Sequence, residues 1–286
     1  MKPKFLPSRD GGLLSFLLAV AFAAGSVKAD DLAEKGRAIF KKNQHIVVTV
    51  QLVVKSKFSM GGSGSQSSES RQDVTGTVVS PTGITVVSLS ATDPGQMMQA
   101  MMSGGGEEDS KFKMETELSD VKILLSDGTE MPAEVVLRDK DLDLAFVRPK
   151  EKPAAAMEAL DLGQSGKAEL LDQVIALNRL GSAAGRAYAA SVERIAAVVE
   201  KPRLFYVPET SMTTATLGAP AFTLDGKFLG VFVMRSIKGG GAASGGMFSA
   251  QPQNLAGIIV PAKDLVEAVK QVPPAGGENT KAEPAK

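Results

Sequence analysis

The stretch SDGTEMPAEVVLRDKDLDLAFV, residues 126–147, contains two short apolar segments, EVVLRD and LDLAFV, each separated from its neighbours by polar residues. Short segments of this kind are typical of β-strands. The chain repeats the pattern in both directions, and the segment from 263 to 271 has the clearest apolar spacing of a helix. The other predicted strands are IVVTVQLVVKSKF (46–58), VTGTVVS (74–80), ITVVSLS (84–90), DVKILLS (120–126), DQVIALNRL (172–180), AYAASVERIAAVVE (187–200), RLFYVPE (203–209), the hairpin AFTLDGKFLG (221–230) and LAGIIVPA (255–262). Many short strands followed by one helix predict an all-β sandwich or barrel.

Composition excludes several classes of function. The 286 residues include 32 basic and 32 acidic side chains, and no basic cluster marks a surface for nucleic acid. The sequence has no cysteine, which excludes disulfides, zinc–thiolate centres and cysteine nucleophiles. His45 is its only histidine, so few acid–base arrangements can be built. We therefore expect no cofactor and no nucleic-acid partner.

The N-terminal segment has the pattern of a secretory signal peptide. Basic residues precede the apolar run LLSFLLAVAFAAG, residues 13–25, and a small residue, Ala29, suits cleavage at the end of this segment. The run is short for a membrane span, although an uncleaved anchor is the alternative. We predict a signal peptide over 1–29, cleavage after Ala29, no stable membrane insertion and a secreted or periplasmic location.

The remaining chain divides into one long folded unit with flanking segments. We predict a helical lead-in over 30–44, a domain over 45–272 and a disordered tail over 273–286, which is poor in apolar residues. Three polar or glycine-rich interruptions are predicted to be loops. They cover residues 59–70, 94–114 and 238–246.

Five segments, in the same order, resemble the trypsin-like serine proteases of the Deg/HtrA type. They are TGTVVSPTGITVVSLSATD (75–93), VKILLSDGTEMPAEVVLRDKDLDLAFVRPK (121–150), LDLGQSGKAELLDQVIALNRLG (160–181), ATLGAPAFTLDGKFLGVFVM (215–234) and LAGIIVPAKDLVEAVKQV (255–272). The resemblance implies a double β-barrel with a C-terminal helix, with barrels over about 45–150 and 160–272. In that family the chain usually continues into a PDZ module, which we do not expect here.

The resemblance also identifies the positions of the family's catalytic residues. Its histidine falls on Ser90, its aspartate on Asp143 and its serine on Leu217, so only the aspartate is retained. A serine hydroxyl is a weak nucleophile unless an imidazole takes its proton, and leucine has no nucleophilic atom. We therefore interpret the chain as a pseudoprotease that binds a peptide or protein partner without cleaving it, with an oligomer possible. We expect the side chain of Leu217 to fill the space where a serine would face substrate.

An enzyme with an unusual arrangement is the alternative, either a serine-type endopeptidase or another hydrolase that uses Asp143. His45 precedes the first strand, and in the resembling fold that position is remote from the cleft. Ser244 lies in the sequence AASGG, which resembles part of a nucleophile loop but follows the predicted hairpin. We interpret His45 as a surface residue and do not expect Ser244 to be a nucleophile.

Four methionines cluster in the second predicted loop, at positions 97, 98, 101 and 102. Thioethers suit Cu(I), so Met97, Met98, Met101 and Met102 form a candidate copper site. Methionine is also common on adaptable apolar docking surfaces. The segment 94–114 contains no histidine or cysteine, and we favour a docking segment over a metal site.

Overall fold

A computed structural model describes residues 27–60, 63–93, 112–209, 216–236 and 255–275. An N-terminal helix and a single 3₁₀ turn, Gln44–Ile46, lead into two groups of six strands, and a short helix follows. The helices are α1 (Val27–Asn43), α2 (Leu89–Thr92) and α3 (Ala262–Val269). The strands are β1 (Val47–Met60), β2 (Ser63–Val78), β3 (Thr85–Ser88), β4 (Phe112–Leu124), β5 (Glu130–Asp139), β6 (Leu144–Pro149), β7 (Gln173–Arg179), β8 (Tyr188–Val199), β9 (Phe205–Pro208), β10 (Pro220–Thr223), β11 (Phe228–Ser236) and β12 (Leu255–Pro261).

The strands form two closed antiparallel barrels, one from each half of the chain. The first has the strand order β1-β2-β3-β6-β5-β4, and the second has the order β10-β11-β12-β9-β8-β7. Alternate side chains of each strand face inward, and apolar residues fill the barrel interiors, such as Val50 and Val147 in the first barrel and Ala176 and Phe232 in the second. The predicted double β-barrel with a C-terminal helix is confirmed.

Buried apolar clusters connect the barrels to the helices. Ile39 of α1 and Leu265 of α3 belong to one cluster together with Phe146 of the first barrel and Ile175 of the second. The C-terminal segment reaches back to the first barrel, where Arg148 of β6 donates hydrogen bonds to the carbonyls of Pro273 and Pro274. The start of the predicted tail therefore contacts the barrel, and residues 276–286 lie outside the described residues.

The prediction of an irregular loop over 59–70 is wrong. β1 continues to Met60, β2 begins at Ser63, and the two strands pair in continuous register from Val47 opposite Thr77 to Phe58 opposite Gln66. Glycine and serine have low strand propensity, but backbone pairing to a neighbouring strand outweighs that preference here. β4 likewise begins at Phe112, inside the second predicted loop. Residues 94–111, with the four methionines, and residues 237–254, with Ser244, lie outside the described residues.

No helix in the described part of the chain combines the length and apolarity that a membrane span requires. α1 is the longest at 17 residues, and charged side chains such as Asp31, Lys35 and Lys41 lie along it.

Candidate functional site

The carboxylate of Asp143 lies between the two barrels and accepts four hydrogen bonds. Its Oδ1 receives the amide of Ser90 at 2.7 Å and the hydroxyl of Ser90 at 2.6 Å. Its Oδ2 receives the hydroxyl of Ser88 at 2.5 Å and the amide of Met234, in β11 of the second barrel, at 2.9 Å. Asp143 therefore connects the first barrel to the second through its side chain.

Local backbone geometry brings these groups together. Asp143 ends the turn between β5 and β6 with a φ of 55°, a left-handed conformation that aspartate tolerates better than most residues. β3 ends at Ser88, opposite Leu144, so the short helix α2 begins beside Asp143. The amide of Leu89 donates to the carbonyl of Asp143 at 2.9 Å, which fixes α2 against the turn.

Burial and hydrogen bonding act on the Asp143 carboxyl in opposite directions. Desolvation raises its pKa, because burial penalises the charged form. The hydrogen bonds from Ser88, Ser90 and Met234 lower the pKa because they stabilise the carboxylate, and burial is the larger of these effects. The pKa of the Asp143 carboxyl is therefore raised, even though it accepts four hydrogen bonds that favour the carboxylate.

No imidazole is among the hydrogen-bonding partners of Asp143. His45 is exposed and lies in the 3₁₀ turn before β1, with its ring 6.3 Å from the ring of Tyr188 at the start of β8. Ser90 takes the place beside the carboxylate that the resemblance gives to histidine, and it is partly exposed. A hydroxyl cannot act as a general base near neutral pH, so this pair lacks the proton acceptor that a serine nucleophile needs.

Leu217 is fully buried, with 0% of its surface exposed. It belongs to the apolar cluster of the first barrel, together with Val87, Leu89 and Ala91 from the segment that carries Ser90. The second barrel, in the segment just before β10, therefore inserts a side chain into the core of the first barrel. The side chain contributes packing and presents no nucleophile.

Backbone contacts hold the loop around Leu217 in place. The carbonyl of Gly218 accepts a hydrogen bond from Thr77 Oγ1 at 2.8 Å, and its amide donates to the carbonyl of Phe232 at 2.8 Å. Gly218 has a φ of 87°, and a Cβ at this position would lie 2.1 Å from the carbonyl oxygen of Thr75. Only glycine permits this conformation and this close approach.

Sequence reasoning missed two contributors to the site. Ser88 lies two residues before Ser90, so a search for hydroxyls near the position of the family's histidine could have found it. Met234 contributes only its backbone N–H, a group that every residue except proline has, and no sequence signal identifies it. Among the described residues, no group of three or more His, Cys, Asp or Glu side chains could hold a metal ion.

Two antiparallel six-stranded barrels with an aspartate at their junction define the class of trypsin-like folds. The comparison with family models agrees, since the model described as trypsin-like peptidase domain matches residues 36–231. The chain belongs to this family. A comparison with curated proteins found no match.

Proposed function

We propose that this protein is a trypsin-like pseudoprotease of the Deg/HtrA type, which binds an extended peptide between its barrels without cleaving it. The observation that carries the proposal is the burial of Leu217 in the first-barrel core at the position of the nucleophile. The hydroxyl of Ser90 in place of an imidazole supports it further. In serine proteases, loss of the nucleophile or of the general base lowers turnover by about 10⁶.

An unpaired strand edge beside Asp143 offers a place for the peptide. β11 pairs with β12 along Gly230–Ser236, but it pairs with β10 only along Phe228–Val231. Within the described residues, the segment Met234–Ser236 has no strand on its second side. A peptide that adds a strand here would bind through main-chain hydrogen bonds.

Backbone alternation shows which groups face that edge. The amide and carbonyl of Phe232 bond to Ala219 and Gly218, on the β10 side, and the amide of Met234 bonds to Asp143. Because alternate residues of a strand direct their backbone groups to the same side, the carbonyl of Met234 and the N–H of Ser236 face the free edge. These groups would pair with the backbone of a bound peptide.

Labelling with a fluorophosphonate tests the absence of catalysis. We expect no labelling of the purified protein under conditions in which trypsin is fully labelled. Labelling that disappears in Ser90→Ala would establish a serine nucleophile and would overturn the proposal in favour of the enzyme.

Peptide binding is tested by screening the protein against an array of extended peptides and measuring each hit in solution. Ser236→Pro removes the outward N–H, a change that an edge strand tolerates, and should weaken a genuine hit about tenfold. Ser236→Ala keeps the N–H and should bind as the unaltered protein does. An array without hits, or equal binding by both variants, would contradict peptide binding at this edge.

Export forms part of the proposal, supported by the apolar run over 13–25 and the small residue Ala29. Expression of the full chain in a bacterium, followed by fractionation and N-terminal mass spectrometry, should find the protein outside the cytoplasm and beginning at Asp30. Full-length protein in the cytoplasm would contradict export.

A further inference from the structure

The carboxylate of Asp143 is saturated with hydrogen-bond donors. Each oxygen of a carboxylate has two lone-pair sites, and each oxygen of Asp143 accepts two hydrogen bonds. The backbone N–H groups of Ser90 and Met234 can only donate, whereas the hydroxyls of Ser88 and Ser90 can also accept, because their hydrogens rotate. A proton that binds to this carboxylate must therefore be donated to one of the two hydroxyls.

Burial decides between the two hydroxyls. Ser88 is completely buried, and its side chain makes no capping bond to α2, so the carboxylate is its acceptor among the described residues. If Ser88 accepted the new proton, its own hydrogen would be left buried without a partner, which costs free energy. Ser90 is partly exposed, so its hydrogen can turn outward. The proton is thus expected on Oδ1, the oxygen that Ser90 contacts.

The charged side chains of the neighbouring elements are engaged elsewhere or exposed. Asp139 accepts the amides of Asp141 and Leu142, Asp93 accepts the hydroxyl of Thr116, and the guanidinium of Arg235 lies over the ring of Phe205. The remaining three, at the end of β5 and in the turn that follows, are exposed: Arg138, Lys140 and Asp141. Within the described residues, none of these six forms an ion pair with Asp143.

The Asp143 carboxyl also connects Ser90 to the free strand edge. Ser90 contacts Oδ1, and the amide of Met234, the first residue of the Met234–Ser236 segment, contacts Oδ2. A peptide that adds to this edge would therefore lie close to the hydroxyl of Ser90.

We propose that Ser90 is a proton-controlled contact for the bound peptide. While Asp143 is ionised, the hydroxyl hydrogen of Ser90 points to Oδ1. When Oδ1 takes a proton from solvent, the carboxyl O–H donates to Ser90 Oγ, and the hydroxyl hydrogen turns outward to donate to a carbonyl of the peptide. No other covalent bond changes. This regulation rests on the proposed peptide binding.

The direction of the effect follows from the burial of the carboxyl. Desolvation raises the pKa of Asp143 above its ordinary value of 3.8, so the proton binds before the exposed carboxyl groups are protonated. Acidification from neutral pH should therefore strengthen peptide binding.

NMR of the free protein tests the position of the proton. The amide protons of Ser90 and Met234 are followed from about pH 7 to about pH 4. Protonation of Oδ1 removes the charged acceptor of the Ser90 amide, and a hydrogen bond to a neutral oxygen is weaker. We expect both signals to titrate with one midpoint, the Ser90 amide proton to shift upfield more than that of Met234, and Asp143→Asn to abolish the titration. A larger shift at Met234, or no titration, would overturn the proposal.

Peptide affinity over the same pH range tests the consequence. The probe is the strongest hit of the peptide array that has blocked termini and no titratable side chain, so that only the protein titrates. The unaltered protein should bind this peptide about fivefold more tightly at the acidic end, which corresponds to one added hydrogen bond. Ser90→Ala should bind it equally at both ends.

Ser88→Ala is the matched control, because it removes the other hydroxyl from the same carboxylate. It should keep the increase in affinity on acidification. An affinity that does not depend on pH, an increase that persists in Ser90→Ala, or an increase that is lost in Ser88→Ala would overturn the regulation while leaving peptide binding established. Absence of binding at every pH would instead contradict the proposed function, and the regulation with it.

Discussion

The two sides of the junction between the barrels differ in chemistry, although hydrogen bonds hold both of them in place. On the first-barrel side, buried Ser88 and partly exposed Ser90 and Asp143 form a polar cluster in which both carboxylate oxygens are hydrogen-bonded. On the other side, Leu217 and Gly218 form an apolar loop with both residues buried. Hydrogen bonds hold both sides in place, the carboxylate of Asp143 on one side and the backbone of Gly218 on the other. The fold and the chemistry of this site are therefore separable.

Substitution of Gly218 should have the largest effect on stability. Gly218→Ala places a Cβ 2.1 Å from the carbonyl oxygen of Thr75 and also requires a φ of 87°. We expect a loss of about 4 kcal/mol or more in the free energy of unfolding, or failure to fold. Urea denaturation followed by circular dichroism measures this loss.

Gly128→Ala is the control that separates the two causes. Gly128 has a φ of 88°, but nothing lies within 4 Å of the position of its Cβ. Its substitution should cost only the backbone strain, about 1 kcal/mol. Equal losses in the two variants would show that strain, rather than the contact with Thr75, makes glycine necessary at position 218.

Substitution of Leu217 should have the next largest effect, because its side chain is completely buried. Leu217→Ala should cost about 3 kcal/mol through lost burial and the cavity that remains. Leu217→Ser should cost about 1 kcal/mol more, since the hydroxyl would be buried among apolar groups. The same denaturation measurement applies, with Leu170→Ala, at a leucine 59% exposed, as the control. A serine variant as stable as the original would place Leu217 in an open pocket instead of the core.

Asp143→Asn should destabilise the protein by about 2 kcal/mol at neutral pH. In either orientation the amide nitrogen of asparagine would face a backbone N–H, that of Met234 or that of Ser90, and two donors cannot bond to each other. The stability lost in Asp143→Asn should depend on pH. The folded-state pKa of Asp143 lies above its ordinary value of 3.8, so the folded protein binds this proton more readily than the unfolded chain.

The sign of this dependence follows from the raised pKa. The proton-linked stabilisation is fully present below pH 3.8 and is lost as pH rises through the folded-state pKa. The stability of the original protein minus that of Asp143→Asn should therefore increase on acidification from neutral pH. Denaturation at several pH values measures the difference. A difference that decreases on acidification would mean that the four hydrogen bonds outweigh burial and lower the pKa.

The local pattern of apolar strands and turn residues predicted an all-β sandwich or barrel, and the family resemblance then implied the double barrel, which the structure confirms. The resemblance also directed attention to Ser90 and Asp143, which local patterning alone does not identify. The continuation of β2 through Ser63–Ser70 was not predictable from composition, since pairing with β1 determines it. The hydrogen bond from Met234 to Asp143 was also not predictable, because it depends on how the second barrel docks against the first. The insertion of Leu217 into the core of the opposite barrel could not be derived from the loop sequence, which only places leucine where the family has serine.

The smallest effect is expected from introducing histidine at position 90 and serine at position 217, where the resembling proteases have their catalytic pair. In Ser90→His/Leu217→Ser, the imidazole would compete with Ser88 and the amide of Met234 for Asp143, and the new hydroxyl would point into the first-barrel core. The resembling proteases have the loop sequence Gly-Asn-Ser-Gly-Gly-Pro, and this chain has Thr216 and Ala219 in place of its asparagine and its second glycine after serine, so we expect different backbone donors for an oxyanion. We expect no fluorophosphonate labelling above that of Ser90→His alone. Labelling comparable to that of trypsin would mean that histidine at position 90 and serine at position 217 are sufficient for catalysis. It would also mean that the loop does not force the side chain at position 217 into the core.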